Sequence, residues 1–356
     1  MSIHVAYFGT WEQGHPRNEQ TIAALRTTGV EVRLVHEDVW TSTHKFATGP
    51  AVAPRLALAE LRLGMSRLAA DTDALIVGYP GHFDLLAAKA HRKPTVFNPM
   101  VSLYDSLVDD RGRFPSGSLA ARALRQLDVR SFRAADVLVA DTAAHAEYMA
   151  GLARIEEEVI ACFIGTDERL FRPSWRRQEE FHVLFVGKLA PLHGIDVIVE
   201  AARLVPDIRF RIVGTGQQTH VLTSAPANVE HVGWVDYSSL PDEYARAGCT
   251  LGIFGASAKA ERVIPNKVFE ALAVGTPVVT ADTAGIRELL RDGMDAILTA
   301  RSPAAVAEAV VALRDDPALA ERIGRAGRAT FEREASEGVL GRRWLEAVEL
   351  AIERRR

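Results

Sequence analysis

The sequence predicts an α/β protein of two domains, each built on a sheet of parallel strands. Short apolar runs that can form buried strands alternate with segments of helical apolar spacing along most of the chain. Glycine loops follow several of these runs, for example after residues 3–8 and 181–186. A polar, proline-containing stretch at 172–180 separates the two halves of the pattern. We therefore expect the domain boundary there, with domains at 1–175 and 176–335.

Composition limits the classes of function. The chain has 356 residues, of which 48% are hydrophobic and 25% charged, and this is ordinary for a soluble globular protein. A net charge of −4 argues against nucleic acid as a partner, because duplex binding needs a strongly basic surface. Cys162 and Cys249 stand in apolar surroundings, which favours buried thiols over a disulfide or a metal site.

No targeting or membrane signal is evident in the sequence. The N-terminal residues lack a basic region followed by a long apolar core, so they do not resemble a secretory signal. No apolar run approaches the roughly 18 residues that a membrane span needs. We expect a cytoplasmic protein without a transmembrane segment, and peripheral membrane contact stays open.

The first domain opens with a strand at 3–8, a glycine loop, a helix and a second strand at 30–35. The loop is not G-x-G-x-x-G, so a dinucleotide site has little support. Gly9 would let a substrate approach the backbone closely. Arg17 and Asn18 lie at the start of this helix. In one interpretation both face an interdomain cleft. In the other, Asn18 caps the helix and Arg17 contacts solvent.

Polar residues follow the strands predicted for the second domain. Gly187 and Lys188 end the strand at 181–187, and His193 precedes the next helix. Gly214 ends the strand at 210–213, where a tight turn alone explains it. Trp234 and Val235 follow a later glycine, and Trp234 either stacks on a nucleotide base or lies in the core.

Residues 263–279 predict a loop, a short helix and a buried strand. Pro265 suits the first helical position, and Gly275 with Pro277 suits the helix end. Asn266 and Lys267 then lie in the first turn, where free N–H groups attract anions. Glu270 shares their face of the helix. An unspecialised strand–helix unit would give the same pattern.

This stretch resembles the donor-nucleotide site of retaining glycosyltransferases of the family-4 (group 1) type, whose pattern is Pro-x-Lys-x-x-Glu followed by Gly-x-Pro-Val. The resemblance covers most of residues 1–345. It implies the GT-B fold, in which two Rossmann-like domains face each other across a cleft. Domain 1–175 would bind the acceptor and domain 176–335 the nucleotide sugar. A last helix in 336–356 would cross back to the first domain.

The resemblance also implies the donor-binding residues. Lys188 would hold the diphosphate with His193, which stands near a second basic position of the family. The predicted donor set is Gly9, Gly187, Lys188, His193, Gly214, Trp234, Val235, Lys259, Arg262, Asn266, Lys267 and Glu270.

Two departures from the family pattern affect the predicted chemistry. A family His-Asp pair is Tyr104-Asp105 here, so Asp105 becomes the catalytic candidate; capping of the next turn is its alternative role, and Asp109 or Asp110 competes with it. Of two family glutamates only Glu270 is matched, because Arg262 stands at the first position and Glu261 is one place off. Lys259 and Arg262 instead add positive charge or form a solvated loop.

His145 is predicted to be a surface histidine on a helix.

The sequence thus predicts a glycosyltransferase that moves a sugar from a nucleoside diphosphate sugar to an acceptor hydroxyl with retention. Lys188 and Asp105 would be catalytic, and neither a cofactor nor a metal would be needed. The alternatives are an epimerase-like GT-B enzyme and a two-domain sugar-binding protein. The base, the sugar, the acceptor and the oligomeric state are unreadable from the sequence.

Overall fold

The computed structural model describes residues 3–40, 52–176 and 180–356. By internal contacts the chain forms two compact units. The first contains Met1–Val108, Gly112–Ile164 and Glu337–Arg356; the second contains Asp109–Arg111 and Gly165–Ser336. Residues 177–179 of the expected boundary stretch lie outside the described part of the chain.

The first unit is a parallel α/β sheet with helices on both faces. Its described strands pair in the order β2-β1-β3-β4-β5-β6. Its elements are β1 His4–Gly9, α1 Pro16–Thr27, β2 Glu31–His36, α2 Val52–Met65, β3 Ala74–Val77, α3 Leu85–Ala90, β4 Thr95–Phe97, the short π-helical segment Asp105–Asp110, α4 Leu119–Ala134, β5 Val137–Ala140, α5 Ala143–Ala153 and β6 Ile160–Ala161.

The second unit repeats this architecture, with the strand order β12-β11-β10-β7-β8-β9 among its described residues. Its elements are β7 His182–Val186, α6 Ile195–Leu204, β8 Arg209–Val213, β9 Val229–Val232, α7 Leu240–Arg246, β10 Cys249–Leu251, α8 Asn266–Val274, β11 Val278–Ala281, α9 Ala284–Arg287, β12 Ile297–Thr299, α10 Pro303–Asp315 and α11 Pro317–Glu334. The predicted α/β class with two parallel sheets is confirmed.

Burial on both faces explains the continuous apolar runs of the strands. Every residue of β3 and of β11 is buried, as expected where helices cover a parallel sheet from both sides. One core in the first unit joins α1 to the sheet, and a second core lies on the opposite face. The second unit has its own core between its sheet, α6 and α10.

The last helix, α12 Glu337–Arg354, belongs to the first unit. It lies along α1, and Leu340, Trp344 and Val348 enter the same core as Ile22. The segment after Ile164 joins the second unit instead. Trp175 explains this placement, because its backbone N–H bonds the Val274 carbonyl at 3.1 Å and its indole N–H bonds the Ala247 carbonyl at 2.7 Å.

Asn18 does not cap the helix and Arg17 is not exposed to solvent, so this pair of expected roles is wrong. The helix begins at Pro16 and is capped by His15, so both residues lie inside α1 and are buried. Arg17 donates to Asn98 Oδ1 and to the carbonyls of Cys162 and Phe163, each at 2.8 Å. The surface assignment of His145 is also wrong, because its ring is buried and Nδ1 contacts the Asp141 carboxylate.

Within the described residues, none of the helices combines the length and the apolar character needed to cross a bilayer.

Candidate functional site

Two glycines allow the ends of β7 and β8 to come into contact. Gly187 has φ = 151° and Gly214 has φ = 128°, a region that favours glycine. A Cβ on Gly214 would overlap the Gly187 carbonyl, and a Cβ on Gly187 would lie 2.9 Å from Lys267 Nζ. The two strand ends are therefore packed too closely for side chains at these positions, and Lys267 Nζ lies against Gly187.

Helix α8 directs its N-terminus towards these strand ends. Asn266 is its first residue, so Pro265 precedes the helix rather than occupying its first turn, and no side chain caps the start within the described residues. Gly275 closes the other end with φ = 91°, and strand β11 follows, as the sequence predicts. Uncapped N–H groups and the helix dipole favour a bound anion.

Lys267 is buried beside the strand ends. Its side chain is 5% exposed, and Nζ has no hydrogen-bond acceptor among the described residues. Nζ lies 3.5 Å from the centroid of the Phe185 ring, which β7 supplies. Burial holds the pKa of Lys267 well below its usual value, because a buried ammonium loses its hydration. A phosphate at this position would restore the missing partner.

Glu270 lies one turn further along the same helix. It is buried, and Oε2 accepts a hydrogen bond from Tyr244 Oη at 2.7 Å. Burial raises the pKa of Glu270 to about 7, although the Tyr244 bond and the charge of Lys267 lower it. Its second carboxylate oxygen can accept a hydrogen bond from a ligand hydroxyl group.

His193 lies beside Lys267 at the end of a short 3₁₀ segment, Pro191–His193. Its ring packs edge-on against Phe185 with centroids 5.5 Å apart, and its carbonyl accepts from Phe254 N at 3.1 Å. Burial lowers the pKa of His193 well below its usual value, and the charges of Lys267, Lys259, Arg111 and Lys188 lower it further. Several cations therefore act on one neutral imidazole.

The remaining donor-site candidates of the second unit differ in their exposure to solvent. Lys188 is exposed, and Lys259, Arg262 and Val235 are half-buried. Trp234 is 78% exposed, so the core alternative for this residue is wrong. Glu261, one position away from the family glutamate, forms an ion pair with Arg301.

Two candidates belong to the first unit. A Cβ on Gly9 would overlap the Asp84 carboxylate, so a side chain of the protein fills the space that the sequence suggested for a substrate. Asp105 is buried, and its N–H donates to Ser102 Oγ at 3.0 Å. The catalytic assignment of Asp105 stays a prediction.

Sequence reasoning missed His82, Asp128 and Tyr244. His82 and Asp128 are both buried in the first unit, with His82 Nε2 3.2 Å from Asp128 Oδ1. Asp128 also accepts from the N–H groups of Leu103 and Tyr104, so it organises the segment before Asp105. These partners lie far apart in the chain, and no local pattern indicates them.

Comparison with known proteins agrees with this architecture. Residues 196–337 match the family described as "Glycosyl transferase-like". D-inositol 3-phosphate glycosyltransferase 1 of Catenulispora acidiphila is 29% identical over 83% of this chain and 74% of its own length. Phosphatidyl-myo-inositol mannosyltransferase of Mycobacterium leprae is 34% identical over 42% of each chain.

Solved structures share the fold at lower identity. Sucrose-phosphate synthase from Thermosynechococcus elongatus superposes with a TM-score of 0.73 at 16% identity, covering 97% of this chain and 98% of its own. Anabaena HepE, solved in complex with UDP-glucose, gives 0.71 at 16% identity, covering 98% and 99%.

The two parallel α/β units and these similarities define a glycosyltransferase of the GT-B class. Within that class, the chain is similar to glycosyltransferases of the group 1 type.

Proposed function

We propose that this protein transfers a sugar from a nucleoside diphosphate sugar to an acceptor hydroxyl, with retention of configuration and without a metal ion. The observation that carries the proposal is Lys267, whose buried Nζ has no hydrogen-bond acceptor among the described residues and lies beside the uncapped start of α8 and the backbone of Gly187. A diphosphate supplies the two things this arrangement lacks, namely negative charge and hydrogen-bond acceptors.

The chemistry requires stabilisation of the leaving group. The bond from the anomeric carbon to the diphosphate breaks, a bond to the acceptor oxygen forms, and the acceptor proton passes to the leaving phosphate or to Asp105. Negative charge grows on the phosphate in the transition state, where fixed cations and dipoles are most effective. Lys188, Lys267 and Arg262 supply this charge together with the helix start at Asn266, and no metal is required in this scheme.

The second unit would hold the nucleotide sugar, with the ribose hydroxyls at Glu270, and the first unit would hold the acceptor. UDP-glucose is bound by the structural neighbour HepE, which supports a nucleotide-sugar donor for this chain. The sugar and the base are left to experiment.

Thermal unfolding with UDP, GDP, ADP or TDP, with and without a chelator, tests the donor site. A ligand present at 100 times its Kd raises the free energy of unfolding by about 2.7 kcal/mol. We expect one nucleotide to give such a shift in the presence of chelator. A well-folded sample that responds to none of them would overturn the proposal, and a shift abolished by chelator would overturn its metal independence. Product stereochemistry by NMR then tests retention.

Lys267→Met sharpens the test. The substitution keeps the length of the side chain and removes an unpartnered polar group from an apolar site, so we expect the empty protein to gain about 1–3 kcal/mol. The nucleotide shift should be lost at the same time. Lys89→Met, at an exposed lysine of the first unit, should change neither quantity. A Lys267 variant that binds nucleotide normally would exclude this residue from the site.

A further inference from the structure

The first unit contains a largely apolar cavity of about 490 Å³. This is roughly three times the ~150 Å³ of a cavity that accepts benzene, and it falls in the usual range for small-molecule sites. Phe83 contributes to the wall and is 40% exposed. Its other large apolar wall residues are Trp40, Leu56, Leu103, Leu107, Leu124 and Leu127.

The cavity lies at the position in the sheet where ligands are expected. Thr10, in its wall, directly follows β1, and Pro80, Gly81 and His82 come shortly after β3. These two strands are neighbours, and the chain order reverses between them, since β2 lies on one side and β4 on the other. Open parallel sheets bind ligands at the carboxyl ends of strands at such a reversal.

Two carboxyl side chains, Glu60 and Asp84, belong to the wall. Neither carboxyl oxygen of Glu60 makes a hydrogen bond of normal geometry among the described residues, although both oxygens are buried. Asp84, beside it, is already occupied, because its oxygens accept from Thr10 N at 2.7 Å and Thr10 Oγ1 at 2.9 Å. Burial and Asp84 raise the pKa of Glu60 to about 9. A neutral carboxyl in an apolar wall can both donate to and accept from a ligand hydroxyl.

We propose that this cavity binds the hydrocarbon or aromatic part of the glycosyl acceptor, and that Glu60 contacts the first polar group attached to it. The acceptor would therefore be an amphiphile. This inference rests on the acceptor role that the proposed function gives to the first unit. The walls supply the binding free energy through apolar burial, and the Glu60 carboxyl orients the molecule.

Displacement of a fluorescent probe tests this without any transfer reaction. N-phenyl-1-naphthylamine is bound to the full-length protein in the absence of nucleotide, and octyl β-D-glucoside and methyl β-D-glucoside compete for it below micellar concentrations. We expect the octyl glucoside to displace the probe at concentrations at least tenfold lower than the methyl glucoside, because the two differ only in the apolar chain. Equal potency of the two glucosides would overturn the proposal.

Two substitutions on the same helix localise the effect. Leu124→Trp partly fills the cavity and should weaken probe and octyl glucoside binding by at least tenfold. Leu119→Trp places the same side chain at a position that is 81% exposed on α4, away from the described wall, and should leave binding unchanged. Glu60→Leu should weaken octyl glucoside by about three- to tenfold and leave the probe unaffected. Equal binding by the Leu124 and Leu119 variants would also overturn the proposal.

The nucleotide shift of the second unit is measured on the same variants. If the nucleotide gives a normal thermal shift but neither the probe nor octyl glucoside binds, only the acceptor inference is overturned. If the wild-type protein shows no thermal shift with any of the nucleotides, the proposed donor site is overturned, whatever the cavity binds.

Discussion

Burial acts in opposite directions on the two charged side chains of α8. It lowers the pKa of Lys267 and raises that of Glu270, because it disfavours the charged form of each. Burial therefore favours the neutral form of both residues. A diphosphate bound at the proposed donor site would favour the charged form of Lys267.

Glu270 gives the protein a pH-dependent stability. Its pKa is about 7 in the folded state and about 4.3 in an unfolded chain. The folded state therefore holds this proton more tightly, and stability is lost as the pH rises from about 4.3 through 7. Glu270→Gln keeps a group that can bond to Tyr244 and removes the titration. We expect this variant to gain up to about 3 kcal/mol relative to wild type at pH 8 and little at pH 4.

Urea denaturation of the empty protein at the two pH values measures this difference. Glu308→Gln, at an exposed position of α10, serves as the control and should stay within about 0.5 kcal/mol of wild type at both. A gain from Glu270→Gln that is the same at pH 4 and pH 8 would contradict the assignment.

For helices and strands, features set by residues close in sequence could be predicted, whereas features set by contacts between distant residues could not. Gly275 and Pro277 fix the end of α8 within a few residues of the chain, so this helix and β11 could be predicted from sequence. The partners of Arg17 are Asn98 and the carbonyls of Cys162 and Phe163. Nothing near Arg17 in the sequence indicates them, and the burial of this cation was therefore missed. His82 was missed for the same reason.

The packing of α12 on α1 gives a prediction at this scale. A Cβ on Gly341 would overlap the Ala24 carbonyl and lie 2.8 Å from Thr27 Oγ1, whereas a Cβ on Gly338 would meet no atom within 4 Å. Both glycines are in α12. We expect Gly341→Ala to destabilise the first unit by about 1–3 kcal/mol, because the helices must separate.

Gly338→Ala is the matched control in the same helix. It should be neutral or stabilising by up to about 1 kcal/mol, since alanine favours the helical state. Chemical denaturation of both variants, followed by circular dichroism, provides the comparison. Equal stability of the two variants would show that α12 does not pack on α1 as described.

For the whole molecule, separate cores mean that a ligand can stabilise one unit without the other. Each unit has a sheet and a hydrophobic core of its own. In the presence of whichever nucleotide gives the thermal shift, hydrogen exchange should slow at 187–194 and 265–270, where the strand ends and the start of α8 lie. Strands β1 to β3 should change little. Protection confined to the first unit would place the donor elsewhere.

Helix α12 also determines the order in which the protein matures. It follows the whole second unit along the chain, yet Leu340, Trp344 and Val348 complete the core around Ile22 of the first. A ribosome delivers residues 165–336 before this helix, so the second unit can close while the first still exposes an apolar face. During synthesis the first unit therefore cannot complete its core until α12 has been made. Until then its exposed apolar face needs protection from aggregation.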